Sequence, residues 1–90
     1  MKKLKPTGQY KKDYKRFRNN PQKLKKLFKI LGLLQNELPI PEGNRPHQLT
    51  GDNAVHMECH IEGDFLLRWF DPDSDEITLV RLGSHSELFG

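Results

Sequence analysis

The chain has 90 residues, of which 15 are Lys or Arg, 12 are Asp or Glu, four are His and one is Cys, for a net charge of +3. This length allows one small domain, residues 1–90, and excludes a deep cofactor cavity with a second lobe, while the single cysteine excludes an internal disulfide and disfavours a structural zinc site. Because no apolar run follows the basic start or approaches the length of a membrane span, we expect a cytoplasmic protein without a secretory signal or membrane segment.

Charge is divided unevenly along the chain. Residues 1–30 hold ten Lys and two Arg against one acid, Asp13, for a net charge of +11. Residues 31–90 hold three Arg against eleven acids, for a net charge of −8. A segment as basic as the first binds a polyanion such as RNA, DNA or an acidic protein tail, unless its lysines only form a solvated helix surface. All four histidines lie at position 47 or later, so the binding charge and the candidate chemistry occupy different halves.

The first predicted elements are a short strand and a basic helix. Residues 2–7 are interrupted by Pro6 and allow at most an edge strand. Thr7 is a candidate N-cap for a helix with one aromatic face. We expect these aromatic residues to be core residues and not base-stacking groups, because they recur at helical spacing. They are Tyr10, Tyr14 and Phe17.

A second helix completes a predicted helical hairpin. Asn20 is its candidate N-cap and Pro21 takes the first helical position. The helix should run to about Leu38, because Pro39 and Pro41 cannot continue it. Its apolar residues recur at helical spacing and are predicted to be buried. They are Leu24, Leu27, Phe28, Leu31, Leu34 and Leu38.

The second half of the chain predicts a loop and three strands. Residues 39–54 contain three Pro and two Gly, which indicates a long ordered loop. Residues 55–62 alternate strictly and predict a strand with Val55, Met57, Cys59 and Ile61 on one face and His56, Glu58, His60 and Glu62 on the other. The more apolar residues 65–70 predict a central strand. An acidic turn at 71–75 then leads into a third strand at 77–82.

The C-terminal segment completes the predicted fold. Ser84 and Glu87 have the spacing of a capping box, which should open one helical turn ending at Leu88 and Phe89. The element order is therefore (β)ααβββ with a short C-terminal turn. This order predicts an α+β domain in which the two N-terminal helices pack on one face of a small antiparallel β-sheet.

The histidines raise the question of a metal site. His56 and His60 have H-x-x-x-H spacing, which suits one ion on a helix, but on a strand they lie roughly 13 Å apart. Cys59 points to the opposite face from both neighbours. We therefore predict no metal ligands and no cofactor.

Acid–base catalysis fits the histidines better. Cleaving an RNA phosphodiester through its 2′-hydroxyl needs a base, an acid and a cation that stabilises the phosphorane. In a meander the start of the middle strand approaches the end of the third, so His60 and Asp64 can meet Arg81 and His85. His47 can join them from the preceding loop. Spacing alone favours the plain alternative of a surface strand histidine, a turn aspartate and an ion-pair arginine.

Three segments resemble the YafQ branch of the RelE-type toxins in the RelE/ParE superfamily, which are the toxin halves of bacterial type II toxin–antitoxin systems. They are PHQLTG at 46–51, ECHIEGDFLL at 58–67 and VRLGSHSELFG at 80–90. The resemblance extends to the two basic helices and to the element order. It implies a RelE-like fold and a ribosome-dependent endoribonuclease that cleaves mRNA during translation. It also implies a cognate antitoxin as partner.

The resemblance implies roles for individual residues. The implied catalytic set is His47, His60, Asp64, Arg81 and His85. His85 is the implied general acid, Arg81 stabilises the phosphorane, and either His60 or His47 is the base. Asp64 orients a histidine or contacts a nucleotide, because an exposed aspartate is a weak base. Other substrate contacts, to mRNA and ribosomal RNA, are expected from Phe89, Lys11, Lys12, Lys15 and Arg16.

The chain departs from the family pattern before and within the strands. Many relatives have a basic residue and an aromatic residue where this chain has Asn53 and Met57, and a Tyr where it has Trp69. The departure at Met57 weakens a phosphate contact or moves that role to Arg68 or a lysine, so it bears on activity. The alternatives are a non-catalytic RNA- or ribosome-binding module, which the basic helices alone support, and an interaction protein that only docks an acidic partner.

Overall fold

The computed structural model describes residues 1–51, 55–72 and 74–89, which form an α+β fold with one five-stranded sheet. In chain order the elements are β1 (Lys3–Pro6), α1 (Gly8–Lys15), α2 (Pro21–Gln35), a 3-10 turn (Glu42–Asn44), β2 (His47–Gln48), β3 (Met57–Glu62), β4 (Phe65–Phe70), β5 (Glu76–Gly83) and α3 (His85–Phe89). The strand order is β1-β5-β4-β3-β2, with β1 parallel to β5 and the other neighbours antiparallel. No helix in these ranges is both long and apolar enough to cross a membrane.

This architecture confirms the predicted fold class and adds two features. The N-terminal strand is at an edge of the sheet, as predicted, but its pairing with β5 is parallel. Within the predicted loop, β2 pairs His47 with Glu58 and Gln48 with Met57. A two-residue strand carries no alternation signal, so the sequence pattern did not reveal it.

Both predicted N-caps are confirmed. The Thr7 hydroxyl accepts a hydrogen bond from the Tyr10 backbone N–H at 3.1 Å. The Asn20 side-chain oxygen accepts one from the Lys23 N–H at 3.2 Å, and Pro21 occupies the first helical position. Each cap satisfies a backbone donor that the first helical turn leaves without a partner.

The predicted extension of α2 to about Leu38 is wrong, because the helix ends at Gln35. Glu37 adopts a left-handed conformation with φ of 56°, and its N–H donates to the Leu34 carbonyl. The Leu38 N–H donates to the Leu33 carbonyl at 2.9 Å. These are the two hydrogen bonds of a Schellman motif, which usually has glycine at the left-handed position. With glutamate there, the sequence carries no terminating signal before Pro39.

The main core lies between one face of the sheet and the helices α1 and α2. In α2, Leu27, Leu31 and Leu34 are buried as predicted, and Ile30 joins them. The predictions that Phe28 and Leu38 are buried are wrong, since they are 52% and 54% exposed. The buried residues of α2 recur at i, i+3, i+4 and i+7 counted from Leu27, which leaves Phe28 beside that stripe, and Leu38 lies beyond the helix. The three aromatic residues predicted for the first helix belong to the core as expected: Tyr10 is buried, and Tyr14 and Phe17 pack partly buried against it, although α1 ends at Lys15, before Phe17.

The opposite face of the sheet is also covered. In β4, Phe65, Leu67 and Trp69 belong to the main core, so Leu66 and Arg68 point to the other side. Both are nevertheless buried, with exposures of 0% and 6%. Helix α3 contributes to this cover, because its Phe89 ring lies against the Arg68 guanidinium. The prediction that residues 65–70 form the central strand is therefore confirmed.

Candidate active site

A row of charged side chains crosses the face of the sheet that carries α3. The strand register pairs His47 with Glu58, Glu58 with Arg68, and Arg68 with Arg81. Residues that face each other across neighbouring strands project from the same side of a sheet. The register therefore brings two of the predicted site residues, His47 and Arg81, onto one surface together with two charged residues outside the predicted catalytic set.

The two candidate bases, His47 and His60, have similar local geometry. Nδ1 of His47 lies 2.8 Å from the Arg45 carbonyl oxygen, and Nδ1 of His60 lies 3.0 Å from the Gly63 carbonyl oxygen. Because a carbonyl only accepts, each Nδ1 carries the proton, and Nε2 of the neutral ring is the free acceptor. In His47 this Nε2 lies 3.8 Å from a carboxylate oxygen of Glu58. Both rings are thus oriented to accept a proton at Nε2.

His85 and Asp64 meet at the start of α3. A carboxylate oxygen of Asp64 accepts a hydrogen bond from the His85 backbone N–H at 2.8 Å. The capping box is present as predicted, since Ser84 N–H donates to the Glu87 carboxylate at 2.8 Å and Glu87 N–H donates to the Ser84 hydroxyl at 3.2 Å. The His85 imidazole stacks on Phe89, with ring centroids 4.7 Å apart. Asp64 therefore fixes the backbone of the candidate acid.

Arg81 is held by Asp13, a buried carboxylate of α1 that is only 2% exposed. Arg81 Nε donates to Asp13 Oδ2 at 2.8 Å, and Nη2 donates to Oδ1 at 3.4 Å and to the Glu87 carbonyl at 3.4 Å. Asp13 also accepts from the Leu82 N–H at 3.0 Å and from the Gln9 amide at 3.1 Å. This arrangement presets the guanidinium of Arg81 near the start of α3.

The hydrogen bonds to Asp13 control its protonation. Burial by itself raises the pKa of this carboxyl, but hydrogen bonds from Arg81, the Leu82 backbone and Gln9, together with the Arg81 charge, hold it below the ordinary value. The pKa of Glu87 is also lowered, chiefly by its hydrogen bond from the Ser84 backbone. The pKa of Glu62 is lowered chiefly by its hydrogen bond from Lys26. The ionised forms of these three carboxyls therefore stabilise the folded protein more than the protonated forms do.

Because the pKa values of these carboxyls are lowered in the folded protein, the free energy of unfolding should decrease at acidic pH. A carboxyl with a lower pKa in the folded state stabilises the protein above its unfolded pKa of about 4, and that contribution is lost as the pH falls through the folded value. We expect the free energy of unfolding in urea to stay level from about pH 7 to 5 and to fall steadily below about pH 4. Asp13→Asn should flatten this acid limb. A free energy of unfolding that rises on acidification would contradict the assignment.

The predicted RNA contacts of α1 divide into two groups. Lys11, Lys12 and Lys15 are exposed, and none has a carboxylate within ion-pair distance among the described residues. Arg16 is used within the fold: it donates to the Leu82 carbonyl at 3.3 Å and pairs with Glu87 at 2.6 Å. The lysines are therefore available to a polyanion, whereas Arg16 fastens α1 to the start of α3.

Gly83 permits this close approach between α1 and α3. A Cβ atom at this position would lie 2.8 Å from the Glu87 carboxylate and 3.0 Å from Arg16 Nη2. Any larger residue would push apart the ion pair that these two groups form. A side chain here would displace the flexible ends of Glu87 and Arg16, so glycine at this position leaves room for their ion pair.

Two charged residues of the site region, Asp13 and Glu58, were not identified from the sequence, and Arg68 was named only as a possible replacement for the phosphate contact missing at Met57. Asp13 is the only acid in residues 1–30, and Arg68 is the only charged residue in an otherwise apolar strand. Each of these two residues is an exception to the charge pattern around it, and that exception was the only sign in the sequence that it has a special role. Glu58 gave no such sign, because the alternation placed it on a polar face, whereas in the tertiary structure Glu58 itself is only 1% exposed.

The other residues discussed for chemistry lie outside this arrangement. The pKa of the Cys59 thiol is raised to about 12 by burial and by the Glu58 charge, which makes it a poor nucleophile or ligand. Within residues 1–51, 55–72 and 74–89, no three His, Cys, Asp or Glu side chains are arranged to hold a metal ion. Met57 packs against the main core and Trp69 is part of it. Asn53 lies outside the described residues.

Comparisons with known proteins place this geometry among bacterial toxins. A family model described as "Bacterial toxin of type II toxin-antitoxin system, YafQ" matches residues 2–90. The mRNA interferase toxin YafQ of Escherichia coli (strain K12) is 33% identical over 85 residues, which cover 93% of this chain and 91% of that protein. A copper-bound mutant toxin from Helicobacter pylori superimposes with a TM-score of 0.91 at 34% identity, over 99% of this chain and 100% of that one. YafQ in the E. coli DinJ–YafQ toxin–antitoxin complex superimposes with a TM-score of 0.86 at 31% identity, over 99% and 98%.

Proposed function

The chain belongs to the YafQ family of bacterial type II toxins, and from this premise we propose that it is an endoribonuclease that cleaves mRNA on the ribosome without a metal ion. The proposed reaction begins when a histidine takes the proton from a 2′-hydroxyl. The 2′-oxygen then attacks the adjacent phosphorus, the bond from phosphorus to the 5′-oxygen breaks, and an acid protonates the leaving oxygen. The products are a 2′,3′-cyclic phosphate and a 5′-hydroxyl.

The proposal rests on one observation above the others: the Gly63–Asp64 turn connects two histidines. Its Gly63 carbonyl orients the His60 ring, and its Asp64 carboxylate binds the backbone of His85. The base must lie within hydrogen-bond distance of the 2′-hydroxyl and the acid within hydrogen-bond distance of the leaving 5′-oxygen. A turn that holds both histidines keeps the distance between base and acid fixed.

Each predicted residue then has a proposed role. His85 is the general acid, at the start of a helical turn beside the phosphate. His60 and His47 remain the two candidate bases, because in both the ring is held through Nδ1; the Nε2 of His47 faces the Glu58 carboxylate at 3.8 Å. Arg81 stabilises the phosphorane with a guanidinium that Asp13 has already oriented. Phe89 contacts the substrate beside His85, and Asp64 orients the acid.

The basic helix supplies the proposed contacts to RNA on the ribosome. Lys11, Lys12 and Lys15 are exposed and lie on the helix that Arg16 fastens to α3. A protein that neutralises phosphates with such residues binds with an affinity that falls steeply as salt rises. We further propose that a cognate antitoxin is the protein partner, as DinJ is for YafQ in the E. coli complex, and that the protein acts in the cytoplasm, where its mRNA substrate is translated.

The function is tested by mapping 5′ ends of a transcript in a reconstituted translation reaction, with and without ribosomes. We expect in-frame cuts that require ribosomes and that persist when a chelator selective for copper and zinc is added. Cuts that disappear with the chelator would contradict metal independence. Cuts without ribosomes would contradict ribosome dependence.

The exposed lysines of α1 also support a second candidate, a non-catalytic RNA- or ribosome-binding module. That module would arrest translation and leave the transcript intact. The same 5′-end map therefore separates the two functions. A third outcome, with neither arrest nor cuts, would leave only a protein that docks an acidic partner.

A further inference from the structure

A stack of three planar groups extends from the sheet to the end of α3. The Arg68 guanidinium carbon lies 4.7 Å from the centroid of the Phe89 ring, and the Phe89 ring lies 4.7 Å from the His85 imidazole at an interplanar angle of 29°. From these contacts we infer that Arg68 is a positioning residue for cleavage, which holds Phe89 and, through Phe89, the ring of His85. The inference rests on the proposed function, because it assigns Arg68 a part in the same reaction.

The Arg68 guanidinium is itself fixed by Glu58. The Arg68 side chain is 7% exposed and the Glu58 side chain 1% exposed, and the two residues face each other across β3 and β4. Nε of Arg68 donates to a Glu58 carboxylate oxygen at 3.3 Å. Nη2 lies 3.3 Å from the same oxygen but forms no hydrogen bond of good geometry with a described residue. A buried cation needs such a counter-charge, so Glu58 determines where the guanidinium lies.

The burial of Arg68 distinguishes positioning from a direct substrate contact. The Arg68 side chain is only 7% exposed, so its guanidinium is not accessible to a phosphate of the substrate. Phe89 is 48% exposed and lies between Arg68 and the solvent-exposed His85. A planar guanidinium stacks on an aromatic face, which a lysine ammonium does not reproduce. Arg68 therefore acts on the reaction through Phe89.

The stack fixes the position of the His85 ring, whereas the His85 backbone is held by other contacts. Helix α3 has five residues, too few to be stable alone, and its backbone is held by Asp64 and the capping box. Among the described residues, the only ring contact of the His85 imidazole is with Phe89. A general acid misplaced by about 1 Å loses up to about 100-fold in rate. The orientation of the acid thus follows the position of Phe89.

Two variants separate the guanidinium plane from its charge. Arg68→Lys retains a cation for Glu58, and so retains the contact between Glu58 and His47, but lacks the planar group. Glu58→Gln combined with Arg68→Met removes both buried charges together, which avoids an unpaired charge in the fold. Glu76→Gln is the matched control. This glutamate is exposed and is the first residue of β5, at the opposite end of that strand from α3.

The first readout is NMR of the His85 ring protons, whose chemical shifts report the ring current of Phe89. We expect these shifts in Arg68→Lys and in the double variant to move toward those of Phe89→Leu, while Glu76→Gln retains the wild-type shifts. Wild-type shifts in both Arg68 variants would overturn the inference. This readout needs no RNA, so it stands apart from the proposed function.

The second readout is single-turnover cleavage on programmed ribosomes. We expect the rate at saturating protein to fall about 10- to 100-fold in both Arg68 variants, with the half-saturating concentration unchanged, because orientation and not binding is lost. Displaced His85 shifts with a wild-type cleavage rate would overturn the positioning role. If the wild-type protein leaves mRNA intact while the shifts still move, the proposed function fails and the stack itself is retained.

Discussion

Replacement of His85 by alanine is expected to lower the single-turnover rate of mRNA cleavage by about 100-fold or more, the usual size of a general-acid contribution. The imidazole is exposed and its removal leaves no buried cavity. The backbone hydrogen bond from His85 to Asp64 is unaffected by the change. The free energy of unfolding should therefore stay within about 0.5 kcal/mol of the wild-type value, measured by urea denaturation.

His56→Ala is the matched control for this experiment. His56 lies next to β3 but outside the candidate set, with its ring edge-on to Phe70 at 6.2 Å. We expect this variant to cleave at the wild-type rate. A His85→Ala protein that is folded and cleaves as fast as His56→Ala would show that another group is the acid.

Replacement of Asp13 by asparagine is expected to cost about 3–5 kcal/mol of folding free energy, a large part of the roughly 5–15 kcal/mol typical of a small domain. Asp13 is 2% exposed, and donors from Arg81, Leu82 and Gln9 converge on it. An asparagine amide group would place a donor against donors and leave Arg81 without its counter-charge. The measurement is urea denaturation at neutral pH, combined with cleavage under conditions where the variant is folded.

Glu37→Gln is the control for Asp13→Asn. Its side chain is 67% exposed and lies 4.0 Å from Lys2, whose ammonium group pairs more closely with Asp71 at 2.8 Å, so Glu37 contributes little. We expect a change within about 0.5 kcal/mol. If Asp13→Asn were equally mild, the pair between Asp13 and Arg81 would not be what joins α1 to β5.

The position of Asp13 also links RNA binding to the candidate chemistry. The exposed lysines of α1 lie on the same helix as Asp13, which binds Arg81, and next to Arg16, which binds Glu87 at the start of α3. The surface proposed to bind phosphates is thus connected by one ion pair to α3, which carries the candidate acid, and by another to Arg81, the candidate phosphorane stabiliser. Binding of this helix to ribosomal RNA would therefore place the active site in a defined orientation toward the mRNA.

Local sequence determined much of this protein. The caps at Thr7 and Asn20 and the capping box of Ser84 and Glu87 appear as predicted, and the strand predicted at 55–62 is present over 57–62, since Val55 lies in a turn and is 65% exposed. Each of these features depends on side chains within four positions of one another, which the sequence displays directly. The resemblance to the toxin family also rests on short motifs of this kind.

Tertiary structure decided which charges meet. Asp13 and Arg81 are 68 positions apart, and Glu58 meets Arg68 only through the register of β3 and β4. The same register buries Glu58, one residue of the predicted polar face of β3, against Arg68. Strand register is set by the packing of a whole sheet, and a shift of one residue would send every side chain to the other face. No local pattern contains that information, so the residues that hold the candidate acid and cation in place became visible only in the folded chain.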